Sequence, residues 1–331
     1  MDIIRKSTLV NVFFQVYVIF FTQETGMTLT AFVLILLSIL LHSLWHFLCK
    51  SCAKVSMAFF ALFSTSLFLS MLPLALCSGL LFDLPGKVMF YAFWGAFSGA
   101  MCNVGLMLAY KHSDISLAYP MARALPVFLT MAVTAVLGIG KSLSAAAVSG
   151  MLIIFAGCVF MAFSNGDRKR SPLEKLLSVK KGLAGILIAA TGTTGYTIID
   201  SVGIKMMTAS FPENNRLLVV SCYSCFRELI ALTMMWIFVY ICYRCGRDRG
   251  SVRKLAATWN PYLAGVFAAF AYALVLLAMN HVSNVSFVQA FRQLSLPIGA
   301  FLGYLILKEK ITRSRWIGLG LIMAGLLLSV L

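Results

Sequence analysis

The sequence predicts an all-α polytopic membrane protein, with ten transmembrane helices arranged as two inverted five-helix repeats. Three observations carry that prediction. Of the 331 residues, 61% are hydrophobic and only 11% are charged, against about a quarter charged in soluble globular chains. Apolar runs of roughly 18–25 residues, the length that crosses about 30 Å of hydrocarbon, recur along the whole chain. Polar landmarks of the first half return at matching offsets in the second. A soluble enzyme with an ordinary core is excluded at this step.

The elements follow in order. Residues 1–26 are an N-terminal extension or an extra membrane segment. Arg5 and Lys6 precede an apolar patch, Leu9 to Phe21, that Asn11 and Gln15 interrupt, a pattern that suits a signal-like, interfacial or eleventh crossing segment. Met27 opens the first regular span. Spans near 28–48, 57–81, 88–110, 116–138 and 143–164 make a first repeat over 27–166. A basic cytoplasmic linker, 167–181, leads to a second repeat over 182–331, with spans near 182–203, 217–243, 261–280, 285–306 and 316–331. The short loops leave no room for a soluble domain and favour a bacterial cytoplasmic (inner) membrane.

Charge fixes the expected orientation. The net charge is +16, and most of the cations fall in three loops: Arg168 to Lys181, Arg244 to Lys254 and Lys308 to Arg315. Loop cations mark the cytoplasmic side and contact anionic lipid, which explains the charge without a nucleic-acid partner. Lys50, Lys54 and Lys111 then lie inside as well, leaving Lys87, Lys141, Lys205 and Arg216 for the opposite face. Three CxxC pairs, Cys49/Cys52, Cys222/Cys225 and Cys242/Cys245, share helix faces. Cysteine is a small apolar residue there, and no histidine spacing completes a zinc signature.

The repeat is weak but consistent. His112 and Arg123 are eleven residues apart, as are His281 and Arg292. The stripe His42, Trp45, His46 and Cys49 lines up with Thr193, Tyr196, Thr197 and Asp200, both at i, i+3, i+4 and i+7, one helical face. Lys54 aligns with Lys205. Gly150 and Gly157 match Gly318 and Gly325 in spacing; small residues let backbones approach, so helices 5 and 10 are packing elements or the face of a homodimer. An odd number of helices per half turns the second half upside down, an arrangement that places substrate at the repeat interface near the midplane of transporters.

These residues carry a family resemblance. The phrase Asp114-x-Ser116-x-Ala118-Tyr119-Pro120-x-Ala122-Arg123 resembles the drug/metabolite transporter superfamily, EamA-like branch. The stretch His42 to Lys50, HSLWHFLCK, is similar to its HAxWNxxxK phrase, with His46 where Asn is expected. Tyr196 to Lys205, YTIIDSVGIK, is similar to YTxxDxxGxR, with Lys205 replacing Arg. The resemblance covers essentially the whole chain after Met27. It implies ten helices, alternating access and movement of small metabolites, without saying which.

Few ionisable groups fall within the spans: Arg123, Asp200, Arg227, Glu228 and Arg292, with His42 and His46. A charge at the bilayer centre costs about 2.5–3.5 kcal/mol even on a lenient scale, so such groups face protein or a wet cavity. Arg123 and Arg292, as repeat mates, suit a carboxylate or phosphate through their bidentate forks; the alternative is a structural tie to an internal acid. Tyr119 lies one turn from Arg123, and Gln289 and Gln293 accompany Arg292. Pro120 and Pro126 each remove a backbone hydrogen bond, so this stretch is expected to be a broken helix lining a cavity. Trp45, His42, His46, Tyr196 and Thr197 complete the expected substrate-binding set. Asp200 and Glu228 are candidates for proton coupling or for salt bridges; Arg227 adjoins Glu228 but points about 100° away. His42 and His46 form only half a metal site, and no third ligand is identifiable from spacing.

The expected function is a secondary active transporter of small anionic or zwitterionic metabolites, of the amino-acid or organic-acid class, with a small-molecule metabolite and membrane lipids as partners and no cofactor. The sequence has no GxxxxGK[ST] signature for its own ATP hydrolysis, and no convergent nucleophile or acid–base set that would make it an enzyme. The alternatives within the superfamily are a lipid-linked sugar flippase and a multidrug exporter.

Overall fold

The computed structural model describes residues 27–51, 56–112, 115–164, 180–246, 251–298 and 313–330. The N-terminal extension and most of the basic linker lie outside them. Eleven α-helices appear among the described residues: α1 (Leu29–Ser51), α2 (Met57–Cys77), α3 (Gly86–His112), α4 (Ile115–Leu137), α5 (Ala145–Ser164), α6 (Lys180–Ser210), α7 (Arg216–Arg244), α8 (Ser251–Ala256), α9 (Asn260–Met279), α10 (Val285–Phe291) and α11 (Arg313–Ser329). The described residues contain no strand, only one isolated bridge between Met27 and Val282. Among the described residues five helices are long and apolar enough to cross a membrane: α2, α3, α6, α7 and α9. Large apolar side chains such as Leu37, Leu40, Phe90, Trp94 and Tyr240 stand exposed around the bundle. That surface suits lipid and would be an aggregation liability in water.

Local chemistry sets the helix ends. The Ser56 hydroxyl accepts from Phe59 N at 3.4 Å to start α2, and the Asn215 side chain accepts from Leu217 N at 2.9 Å to start α7. Pro261 opens α9, where its missing N–H costs nothing. Helix α2 stops at Cys77 rather than near 81, because Ser78 caps it and Gly79 turns left-handed at φ 68°. Helix α6 runs on past 203 to Ser210, and its 31 residues span about 46 Å at 1.5 Å per residue, longer than the hydrocarbon.

The dominant helix pairs are α3 with α6, α5 with α11, α1 with α9 and α2 with α7. Two of these pairs are built on glycine. A Cβ at Gly192 would lie 2.6 Å from both Cys102 N and Ser98 O, and one at Gly150 would lie 2.5 Å from Gly325 O. Only glycine allows backbones this close. The glycines of α5 and α11 therefore face each other within one chain, which gives them the packing role of the two roles expected.

One end of the bundle is tied by the turn between α9 and α10. Lys205 Nζ donates to Val282 O at 3.1 Å, and Asn284 Nδ2 donates to Ile139 O and Lys141 O at 3.3 and 3.0 Å. Lys141 N donates to Ser283 O at 3.1 Å, and Thr28 N to His281 O at 3.3 Å. Three segments distant in sequence are thus bonded to the five-residue turn 280–284.

Candidate substrate cavity

The expected broken helix is not where the prolines of the first half put it. Helix α4 runs unbroken from Ile115 to Leu137 through Pro120 and Pro126. Each proline frees one carbonyl a turn earlier; for Pro126 that is Ala122, a cavity-lining residue, and such losses are tolerated beside a cavity. The break lies in the mate element. Helix α10 ends at Phe291, Arg292–Leu294 form a 3-10 turn, and the chain is helical again over 295–298. Pro297 has no N–H for the Gln293 carbonyl. Local side chains take up the backbone instead: Gln293 Nε2 donates to Gln289 O at 3.2 Å, and Ser295 Oγ donates to Arg292 O at 2.9 Å. The tightened turn carries Arg292.

Between α1, α2, α3, α4, α6, α7, α9 and the α10 turn lies a cavity of about 140 Å³. Of the expected substrate-binding residues, it brings together His42, Trp45, Arg123, Tyr196, Gln289 and Arg292. Glu228 lines it too. Thr197 does not; it is fully buried, as is Asp200 one turn beyond the cavity. Their stripe on α6 slants, so Thr193 and Tyr196 meet the cavity while the two later positions face neighbouring helices. The side chains of His46 and Tyr119 lie outside the described residues.

On the first wall, Trp45 Nε1 donates to His42 Nδ1 at 2.8 Å, with the rings edge to face at 5.2 Å. Accepting at Nδ1 requires a neutral imidazole that carries its proton on Nε2. Trp45 also packs on Phe63, centroids 5.3 Å apart.

The opposite wall holds an ion cluster. Arg227 Nε donates to Asp200 Oδ2 at 2.8 Å, Tyr223 OH to Asp200 Oδ1 at 2.8 Å, and Tyr272 OH also to Asp200 Oδ2. Arg227 Nη1 pairs with Glu228 Oε1, and Nη2 donates to Gly95 O at 3.3 Å. The guanidinium lies over the rings of Tyr272 and Tyr196, at 4.9 and 5.6 Å from their centroids. Sequence neighbours on a helix do pair here, because the arginine side chain is long enough to reach back to the adjacent carboxylate. Both membrane acids are thereby committed to Arg227, an arginine absent from the expected site. Its signal was available: an arginine directly beside a glutamate inside a span.

Arg292 is differently placed. It is buried, and the described residues give its Nη1 no hydrogen-bond partner and no ion pair. Gln289 Oε1 beside it is also buried and unsatisfied. Such groups cost about 1–3 kcal/mol each, more when charged, and their placement on a cavity wall is what a polar ligand would compensate. Ser38, Cys102, Asn103, Tyr110 and Tyr272 also line the cavity. They are scattered polar residues in apolar helices, and spacing alone does not separate them from packed ones. Cys222 and Cys225 are buried free thiols.

The comparisons agree with this architecture. A crystal structure titled only "Crystal structure of protein" superposes with a TM-score of 0.64 at 17% identity, over 90% of this chain and 95% of that one; this likeness is one of fold. A structure of a sodium–calcium exchanger aligns over 90% of this chain and 96% of its own at 18% identity, but with a TM-score of 0.18, and carries no argument. No curated protein matches the chain. Residues 180–331 match the EamA-like transporter family. That segment, which covers the expected second repeat, is what ties the chain by similarity to the EamA-like transporter family, a branch of the drug/metabolite transporter superfamily.

Proposed function

We propose that the protein is a secondary active transporter of small anionic or zwitterionic metabolites, working by alternating access around the cavity that Arg123 and Arg292 line. The observation that carries the reading is the imbalance of charge there. Arg227 is matched by two acids, while Arg292 keeps a buried Nη1 with no partner among the described residues. Among the described residues both carboxylates here are bonded to Arg227, so the Arg292 side of the cavity favours a negative group. Cations would be repelled, which argues against a multidrug exporter. A cavity near 140 Å³ resembles one of about 150 Å³ that accepts benzene and falls below the roughly 300 Å³ at which drug-sized sites begin. That size supports a metabolite of amino-acid scale over a lipid-linked sugar.

Ten crossings in two inverted repeats belong to the same proposal. Exchanging each helix for its mate five spans away turns the α1–α9 contact into α6–α3, and leaves α2–α7 and α5–α11 unchanged. The tied end, with Lys141 and Lys205, is the face expected outside, so this conformation is closed there. Proton coupling through Asp200 or Glu228 fits as well: a proton reaching either acid releases an edge of Arg227 to the substrate. A bacterial inner membrane and a homodimer are the expected setting. The test is uptake of radiolabelled alanine, lactate and lysine into proteoliposomes. Saturable uptake of alanine or lactate above protein-free vesicles supports the proposal; uptake of lysine alone refutes it.

A further inference from the structure

We propose that Glu228 limits the transported molecule to a single anionic group, admitting monocarboxylates and zwitterions and rejecting dicarboxylates and phosphate monoesters. This rests on the reading of the cavity as the substrate site and narrows its chemistry.

The two acids of the cluster are not equivalent. Asp200 is fully buried off the cavity and accepts from three side chains, Arg227, Tyr223 and Tyr272. Glu228 is on the cavity wall, and among the described residues a single side chain, Arg227, bonds it. With both acids ionised, Asp200 and Glu228 together carry one more charge than Arg227 does, and this wall then presents a net negative charge through Glu228. The other walls present Arg123 and Arg292. The cavity is therefore dipolar, positive at one side and negative at the other.

The remaining titratable groups among the described residues leave that polarity unchanged. Helix α3 brings Cys102 and Tyr110, helix α6 brings Tyr196 and Asp200, and helix α9 brings Tyr272. Helix α2 contributes only the apolar Phe63 and Leu67. Across the cavity, His42 is held neutral by Trp45. The space, about 140 Å³, is close to the roughly 150 Å³ of a cavity that accepts benzene. A ligand that fills it touches both poles at once. One carboxylate placed against Arg292 leaves its far end beside Glu228, where an ammonium or hydroxyl is attracted and a second anion is repelled. Like-charge juxtaposition is a means of rejecting the wrong ligand.

The experiment is calorimetric titration of the purified full chain with three size-matched probes: lactate, alanine and malonate. Wild type is expected to bind lactate or alanine at least about tenfold more tightly than malonate, a difference of about 1.4 kcal/mol. Glu228→Gln keeps an acceptor for Arg227 but removes the charge, and should bring malonate within about threefold of lactate. Glu228→Asp should restore the discrimination. Malonate binding as tightly as lactate in wild type, or an unchanged ratio in Glu228→Gln, overturns the proposal while the site reading stands. Binding of none of the three by wild type overturns the site reading and the proposal with it. The wild-type ratio decides the charge limit even where a variant fails to fold.

Discussion

Replacing Asp200 by alanine tests the ion cluster as a structural element. The carboxylate accepts from Arg227 Nε and Tyr223 OH at 2.8 Å each and from Tyr272 OH, with no exposure to solvent. Breaking a buried ion pair costs about 3–5 kcal/mol. Arg227 would keep Glu228, so the lower end, about 3 kcal/mol, applies. Each tyrosine hydroxyl left without its acceptor adds about 1 kcal/mol, the low end of the range for a buried unsatisfied group. The sum is about 5 kcal/mol, or on the order of 10 °C at about 2 °C per kcal/mol for a large chain. Heating detergent-purified protein and measuring the monodisperse fraction by size-exclusion chromatography reads this directly. Asp200→Asn keeps an acceptor oxygen and should lose about half as much. An Asp200→Ala variant that melts within about 2 °C of wild type would refute the reasoning, since the cluster would then hold nothing together.

Other outcomes follow from the same contacts. Gly192→Val should collapse folded yield, because its Cβ would lie 2.6 Å from Cys102 N; Gly86→Ala, which meets no atom within 4 Å, should be neutral or stabilising by up to about 1 kcal/mol, and fluorescence-detected chromatography of both variants checks the contrast. Trp45→Phe removes the 2.8 Å bond to His42 but keeps a ring against Phe63, so thermal stability should fall by only about 1 kcal/mol.

Much of the fold was legible because lipid imposes one strong rule. Each crossing must be a helix long enough to bury its own backbone polar groups, and the apolar runs register that directly. Helix ends were less legible: α2 stops at the Ser78–Gly79 turn, and α6 extends beyond its apolar core. The expected break around Arg123 was displaced to Arg292, since a proline tells which hydrogen bond is lost but not whether the helix bends to compensate. In the site, the paired arginines and the His42–Trp45 face were readable from repeat offsets and helical periodicity. Thr197 and Asp200 shared that periodicity with Tyr196 yet face neighbouring helices, because periodicity fixes a face and not the depth at which a cavity ends. Arg227 was readable as a buried charge, but its double pairing depends on side-chain reach. The closest backbone approach, α3 against α6, rests on glycines that no repeat offset marked.

The most direct test of the central claim is a thermal-shift screen of wild type, Arg123→Gln and Arg292→Gln against amino acids, monocarboxylates, phosphorylated metabolites and cationic dyes. If the arginines face substrate, an anionic or zwitterionic class stabilises wild type and loses that effect in Arg292→Gln. Without ligand, that variant should melt at or above wild type, because a buried cation with no ion pair among the described residues has been removed. Stabilisation by cations, or by anions equally in wild type and both variants, would contradict the account and leave the arginines as structural ties.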